Sequence, residues 1–238
     1  MRRSLLLAGV TSALSVVAVM GTSVAASGAT TDRGRWAFNE TLGGVAVDSS
    51  GFGNDGANFD IVGDGAAYTF NGASSRVIVK DDASLDPGVA SFSFGATLSM
   101  SSPPAVGETY DILRKGVVGT AGGNYKFEVK NVKGKAVARC VVKDSVRVTA
   151  AIQSQATVAA NLADGRTYTV TCNKTRTGVS VKVEVEGEGL AARTRTVKQL
   201  GSVSNNVELA IGAKAGTPLK NGYDWYSGKI YEAWVSAE

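Results

Sequence analysis

The chain has 238 residues, with 25 Lys and Arg against 21 Asp and Glu, a formal net charge of +4, two Cys and no His. Basic and acidic residues are interspersed without a basic run, which argues against the concentrated footprint of a nucleic-acid binder. The absence of His excludes imidazole-held metals and conventional Ser-His-Asp or Cys-His catalysis.

The first segment reads as an export signal. Arg2 and Arg3 give a positive start, Leu5 to Met20 an apolar stretch, and Val24-Ala25-Ala26 the small residues of a cleavage point, with Ala29 as the alternative end. That stretch falls short of the roughly 20 residues that span a bilayer, and no second one follows. Residues 1–26 are therefore expected to be removed. This leaves a secreted domain over residues 27–238, without a membrane span and with a charge of +2 once Arg2 and Arg3 are gone. A β domain of roughly 210 residues is routinely a single unit.

Next comes a Gly-rich loop with the oxygen donors Glu40, Asp48, Asn54 and Asp55. Such donors suit calcium, a hard cation. Asp48 and Asn54 suit equally well a role in bonding their own turn backbone. No cofactor is required by either reading.

Beyond this loop, strand follows strand. Extended runs are expected at Ala67 to Phe70, Arg76 to Val79, Ser91 to Leu98 and Asn124 to Val129, then at Arg147 to Ile152, Val207 to Ile211 and Lys229 to Val235. Val179, Val181, Val183 and Val185 alternate with Ser180, Lys182, Glu184 and Glu186, as in a strand with one face in a core and one in water. Asn71-Gly72, Asp164-Gly165 and Asn221-Gly222 supply turns. No long segment after the leader has a helical period, so the fold class is all-β, a sandwich or barrel.

Cys140 and Cys172 each lie in a strand-like run and point to its less polar side. An exporting compartment favours a disulfide between them. A metal pair or a reactive thiol would need partners that the sequence does not offer.

Trp36-Ala37-Phe38-Asn39-Glu40, Asp48-Ser49-Ser50-Gly51-Phe52-Gly53-Asn54-Asp55-Gly56 and Tyr68-Thr69-Phe70-Asn71-Gly72 resemble, in order and spacing, the opening of laminin-G-like, concanavalin A-like domains. Leu113-Arg114-Lys115-Gly116 and the surroundings of both cysteines are similar to secreted bacterial members. The resemblance implies a jelly-roll sandwich of two antiparallel sheets. It departs at Thr167-Tyr168, where the family usually has Trp-His, and at Tyr231 and Ala233 in the closing pattern.

Such folds serve as lectins, adhesion modules and glucanases, so fold alone does not choose among them. The glucanase pattern Glu-x-Asp-x-x-Glu is absent, and Glu184, Glu186 and Glu188 read as strand and turn carboxylates. The chain is thus expected to be no enzyme but a binding module for a carbohydrate or cell-surface glycan. The alternatives are a structural or protein-interaction domain facing an extracellular protein, and then a glycoside hydrolase. Asn221, Tyr223, Asp224 and Trp225 are the candidate contacts, because a flat aromatic face beside an amide and a carboxylate matches a sugar's C–H face and hydroxyl rim. Tyr226 takes the place of a core aromatic in the family pattern.

Overall fold

The computed structural model describes residues 30–41, 44–154, 161–185, 188–214 and 224–238. The expected export signal, Glu186, Asn221 and Tyr223 lie outside the described residues.

Sixteen strands occur among the described residues. The first eight are β1 (Thr31–Trp36), β2 (Val45–Ala46), β3 (Gly56–Phe59), β4 (Val62–Gly63), β5 (Tyr68–Asn71), β6 (Arg76–Val79), β7 (Phe92–Ser99) and β8 (Thr109–Lys115). The others are β9 (Asn124–Val132), β10 (Lys135–Lys143), β11 (Thr149–Gln153), β12 (Tyr168–Thr175), β13 (Gly178–Val185), β14 (Glu188–Thr196), β15 (Leu209–Ile211) and β16 (Ser227–Ala237). One turn of 3-10 helix at Ala83–Leu85 is capped by Asp82, whose side chain accepts the Ser84 N–H.

The strands form two antiparallel sheets. The first runs β14-β13-β12-β7-β16-β5-β4, with β1 also paired to β16, and the second runs β11-β10-β9-β8-β15-β6-β3-β2. Neighbours distant in sequence, such as β7 between β12 and β16, are the crossovers of a jelly-roll-like sandwich. The expected fold class is therefore the one found.

Side-chain alternation decides what fills the space between the sheets. Val179, Val181 and Val183 are fully buried, while Lys182 on the opposite face of β13 is exposed. Phe92 and Phe94 of the first sheet meet Tyr125 of the second with ring centres 5.2 and 5.1 Å apart. Cys140 on β10 and Cys172 on β12 are buried and joined by a disulfide with Cα atoms 5.6 Å apart. The bond thus crosses from one sheet to the other.

The outward face of the second sheet is not simply polar. Val137 and Val141, on the side of β10 away from the cysteine, are also buried, and around them lies an ionic lattice that joins the buried Asp111, Arg114 and Glu128 to the partly exposed Lys126 and Arg139. Asp111 pairs with Arg114 and lies 3.9 Å from Lys126, while Glu128 is gripped by Lys126 on one oxygen and by Arg139 on the other. Register places these groups side by side, with Asp111 opposite Glu128, and Glu128 opposite Arg139. Burial pushes the Glu128 carboxyl up, but Lys126 and Arg139 together outweigh it and hold the acid below its usual range. Asp111 differs. Burial raises its carboxyl to about 6, against the pull of Arg114 and Lys126.

Two predictions follow from this packing. Cys172→Ala, which opens a cross-link of sequence separation 32, should lower stability by about 3 to 4 kcal/mol in urea unfolding on the chain-entropy model. Intact mass with and without reduction reports the bond itself.

The second concerns pH. Since Asp111 titrates near 6 in the fold against an ordinary 3.8, the folded chain holds its proton more tightly between those values. Its contribution to stability therefore falls as pH rises through that window and is flat above it. Asp111→Asn should gain stability relative to the wild type from pH 4 to 6, and a variant that instead loses ground would contradict the raised value.

Candidate functional site

The start of β16 is positioned by a buried side chain. Tyr226 is fully buried, and its hydroxyl donates to the Ser99 carbonyl at 2.7 Å. Its backbone N–H donates to Gly212 O at 2.9 Å, and its carbonyl accepts from Gly72 N–H at 2.9 Å. Gly212 must be glycine here, with φ of 81° and a Cβ that would meet the Phe70 ring at 2.2 Å. The expectation that Tyr226 belongs to the core holds.

Two residues earlier, the chain turns. Asp224 has a left-handed φ of 49° and its carbonyl accepts from Asp111 N–H at 2.9 Å. Its carboxylate pairs with Lys214 at 2.5 Å. Trp225 is half-buried and lies 5.8 Å from the Arg76 guanidinium, which itself stacks on the Phe59 ring at 4.2 Å. Tyr110 meets Tyr226 edge-on at 5.7 Å.

These residues enclose a cleft of about 750 Å³ lined by Asp224, Trp225, Tyr110, Lys214, Glu108 and Asn71, among others. Of the four sequence candidates for ligand contact, Asp224 and Trp225 are brought together in it, while Asn221 and Tyr223 are outside the described residues. Sequence reading did not find Tyr110, Lys214, Glu108 or Asn71. They come from three other parts of the chain, and only the pairing of β5 with β16 and of β8 with its neighbours collects them.

The four oxygen donors of the Gly-rich loop are placed differently from a converging set. Asp48 accepts from Arg35 N–H and Ser50 N–H with one oxygen, and from Asn54 N–H and the Ser50 hydroxyl with the other. Burial pushes its carboxyl up, and these donors together outweigh it, leaving it below the usual range. Asn54 donates its side-chain amide to Arg33 O and to the Ser84 hydroxyl, and its backbone carbonyl accepts from the Trp36 indole at 2.8 Å. Asp55 accepts from Asp48 N–H, and Glu40 from Val47 N–H. Each of these side chains shapes backbone. Among the described residues, no group of three or more His, Cys, Asp or Glu is arranged to hold a metal.

Asp111 and Glu128 are the carboxylates whose environments drive their proton affinities apart, a pattern shared with acid–base pairs. Both are sealed from solvent, at 0% and 1% exposure, and Glu128 has a cation on each oxygen. Glu184 pairs with Lys182 at 2.7 Å, and Val185 and Glu188 are cross-strand partners at the end of the β13–β14 hairpin.

No protein-family model matches the chain, and no curated protein matches it significantly. Among solved structures, the binding domain of Paraclostridial Mosquitocidal Protein 1 is similar over 87% of this chain and 48% of its own, at 12% identity and a TM-score of 0.59. The binding domain of botulinum neurotoxin DC in complex with SialylT matches over 87% of this chain and 46% of its own, at 13% identity and a TM-score of 0.50. The full-length tailspike protein 2 of Escherichia coli O157:H7 bacteriophage CAB120 matches over 71% of this chain and 22% of its own, at 12% identity and a TM-score of 0.51. The chain thus spans less than half the length of each. At such identities the likeness establishes the two-sheet β-sandwich and nothing finer.

Proposed function

We propose that this chain is a secreted, non-catalytic module that binds a carbohydrate through the cleft around Asp224 and Trp225. The observation that carries the reading is the cleft itself, which sets a half-buried indole beside a carboxylate, an ammonium and an amide. A pyranose offers an apolar C–H face to a ring and a rim of hydroxyls to such groups.

Asp224 is well suited to hold a hydroxyl pair, because its left-handed backbone and its ion pair with Lys214 fix the carboxylate before any ligand arrives. Two of the structural neighbours are themselves described as binding domains, one of them in complex with SialylT, which supports a binding role over a catalytic one. Secretion is supported by the leader-like first segment and by the disulfide, a bond that persists in oxidising compartments. Among the described residues, no helix is long and apolar enough to cross a membrane. The domain of this reading is residues 27–238, and calcium remains a candidate ligand of the Glu40–Asp55 loop, to be tested alongside.

A glycan array with the full domain, run with calcium and with a chelator, should give weak, shallow-site binding to a small set of glycans. Trp225→Ala should lower that binding by about tenfold or more, while the melting temperature moves by only a few degrees. Loss of roughly 3 to 5 kcal/mol of stability, as for a core Trp, would make Trp225 a packing residue and remove the site's anchor. Unchanged binding in Trp225→Ala at full stability would place the ligand elsewhere.

A further inference from the structure

Charge is unevenly divided along the chain. Residues 133–200 hold twelve Lys and Arg against five Asp and Glu, whereas the rest holds thirteen against sixteen. The fold gathers part of this excess at one corner.

β14 is the edge of the first sheet, hydrogen-bonded only to β13. Arg193 and Arg195 lie two residues apart on it, on one face and about 7 Å apart by strand geometry. Just beyond its end, Val197 N–H donates to Thr177 O at 3.0 Å and Leu200 N–H to Arg176 O at 2.7 Å. These bonds bring Lys198 and Arg176 to the same place. Ser145 N–H donates to Ser202 O at 2.8 Å, and Gly201 N–H to the Asp144 carboxylate at 2.8 Å, which adds the turn carrying Arg147.

All five cations are exposed. None takes part in any of the ion pairs found among the described residues. Asp144, the acid at this corner, is buried with its oxygens held by Val148 N–H at 2.7 Å and by Gly201 N–H. Glu188 sits at the other end of β14, about 17 Å from Arg193 along the strand.

Charges on an edge strand have an ordinary use, since they discourage pairing with another sheet. That accounts for Arg193 and Arg195. It does not account for Arg147, Arg176 and Lys198, which lie on turns where there is no edge to protect, and five like charges without counter-charges repel one another.

We propose that this corner binds an acidic polysaccharide carrying sulfate or carboxylate groups, at a site separate from the cleft. Guanidinium groups suit these anions because they donate two parallel hydrogen bonds to one sulfate or carboxylate. Nucleic acid fits less well. No Phe, Tyr or Trp occurs in residues 143–148 or 188–202 to stack a base, and the disulfide suits an oxidising compartment, where nucleic acid is not the usual partner. The separation follows from topology, because β13, β12 and β7 stand between β14 and β16 in the first sheet.

Heparin is the probe, titrated against the full domain over a range of salt. The triple variant Arg193→Gln, Arg195→Gln, Lys198→Gln should lose about tenfold or more in affinity, and its log K against log salt slope should fall by about 2 to 3, near one unit per cation. Lys80→Gln, Lys130→Gln, Lys133→Gln removes the same charge elsewhere and should stay within about twofold of the wild type. Equal losses in the two variants would mean a response to net charge, and overturn the site. Tighter binding of duplex DNA than of heparin would overturn the polysaccharide assignment. Trp225→Ala should leave heparin binding unchanged, so failure of the cleft and failure of the corner are read separately, and loss of heparin binding in it would move the polyanion to the cleft. Should the triple variant melt early, Arg176→Gln and Arg195→Gln singly, on exposed side chains, carry the same comparison.

Discussion

The sandwich depends on the pairing of β16. This strand hydrogen-bonds to β1, to β5 and to β7, so the first sheet is assembled around a segment at the far end of the chain. Its centre needs a close approach. Trp234 is registered with Gly95 and covers it, and a Cβ at Gly95 would meet the Trp234 ring at 2.7 Å and Val170 O at 2.1 Å. Its start holds Tyr226, which places the candidate cleft. Fold and site are thus consequences of one strand finding three partners, most of them far away in sequence, a long-range pairing whose loop-closure entropy must be met before contacts form.

Sequence reading found the elements whose alternation is strict. Arg76 to Val79 matched β6, and the Val179 to Val185 pattern matched β13. It passed over β14, whose Glu-Gly-Leu-Ala-Ala-Arg-Thr-Arg-Thr has no alternating apolar face, because an edge strand buries little. It also passed over β8. That strand carries Asp111, Arg114 and Lys115 within an otherwise apolar run, and all three are buried. Charge inside a strand reads as solvent-facing unless its partners are known. Here Asp111 and Arg114 pair with each other, with Lys126 of β9 beside Asp111, and Lys115 is held by Asp81, Asp86 and the Asn205 carbonyl. The cleft was legible only in Asp224 and Trp225, since the other lining residues are neighbours in space alone.

Buried ion pairs are weak evidence for stability, because desolvation offsets much of the attraction, while removal of one partner leaves the other uncompensated. The lattice of Asp111, Arg114, Lys126, Glu128 and Arg139 is better understood as a register device. A one-residue slip of β8 or β9 would turn these charges into the core and Leu113 or Phe127 out of it. The lattice also reaches the cleft, because the Asp111 N–H holds the Asp224 carbonyl. Correct pairing of the second sheet and the shape of the candidate site are therefore coupled through a single strand end.

The disulfide acts at the other end of the molecule. Cys172 is registered with Val181, and Val181 with Arg193, while Cys140 is registered with Ile152, next to Gln153. Arg193 donates across the gap between the sheets to Gln153 O at 3.2 Å. The covalent bond and this hydrogen bond thus clamp the same margin, the one that carries the basic corner. On β16 the row of Cys172 and Phe94 reaches Val235, eight residues beyond Ser227 where the cleft lies, about 27 Å of strand. Reduction of the bond would release β10 from β12 beside the basic corner and leave Tyr226, Gly212 and Asp111 holding the cleft as before. The oxidation state of the two cysteines bears on the edge surface, and the candidate cleft rests on hydrogen bonds that need no oxidant.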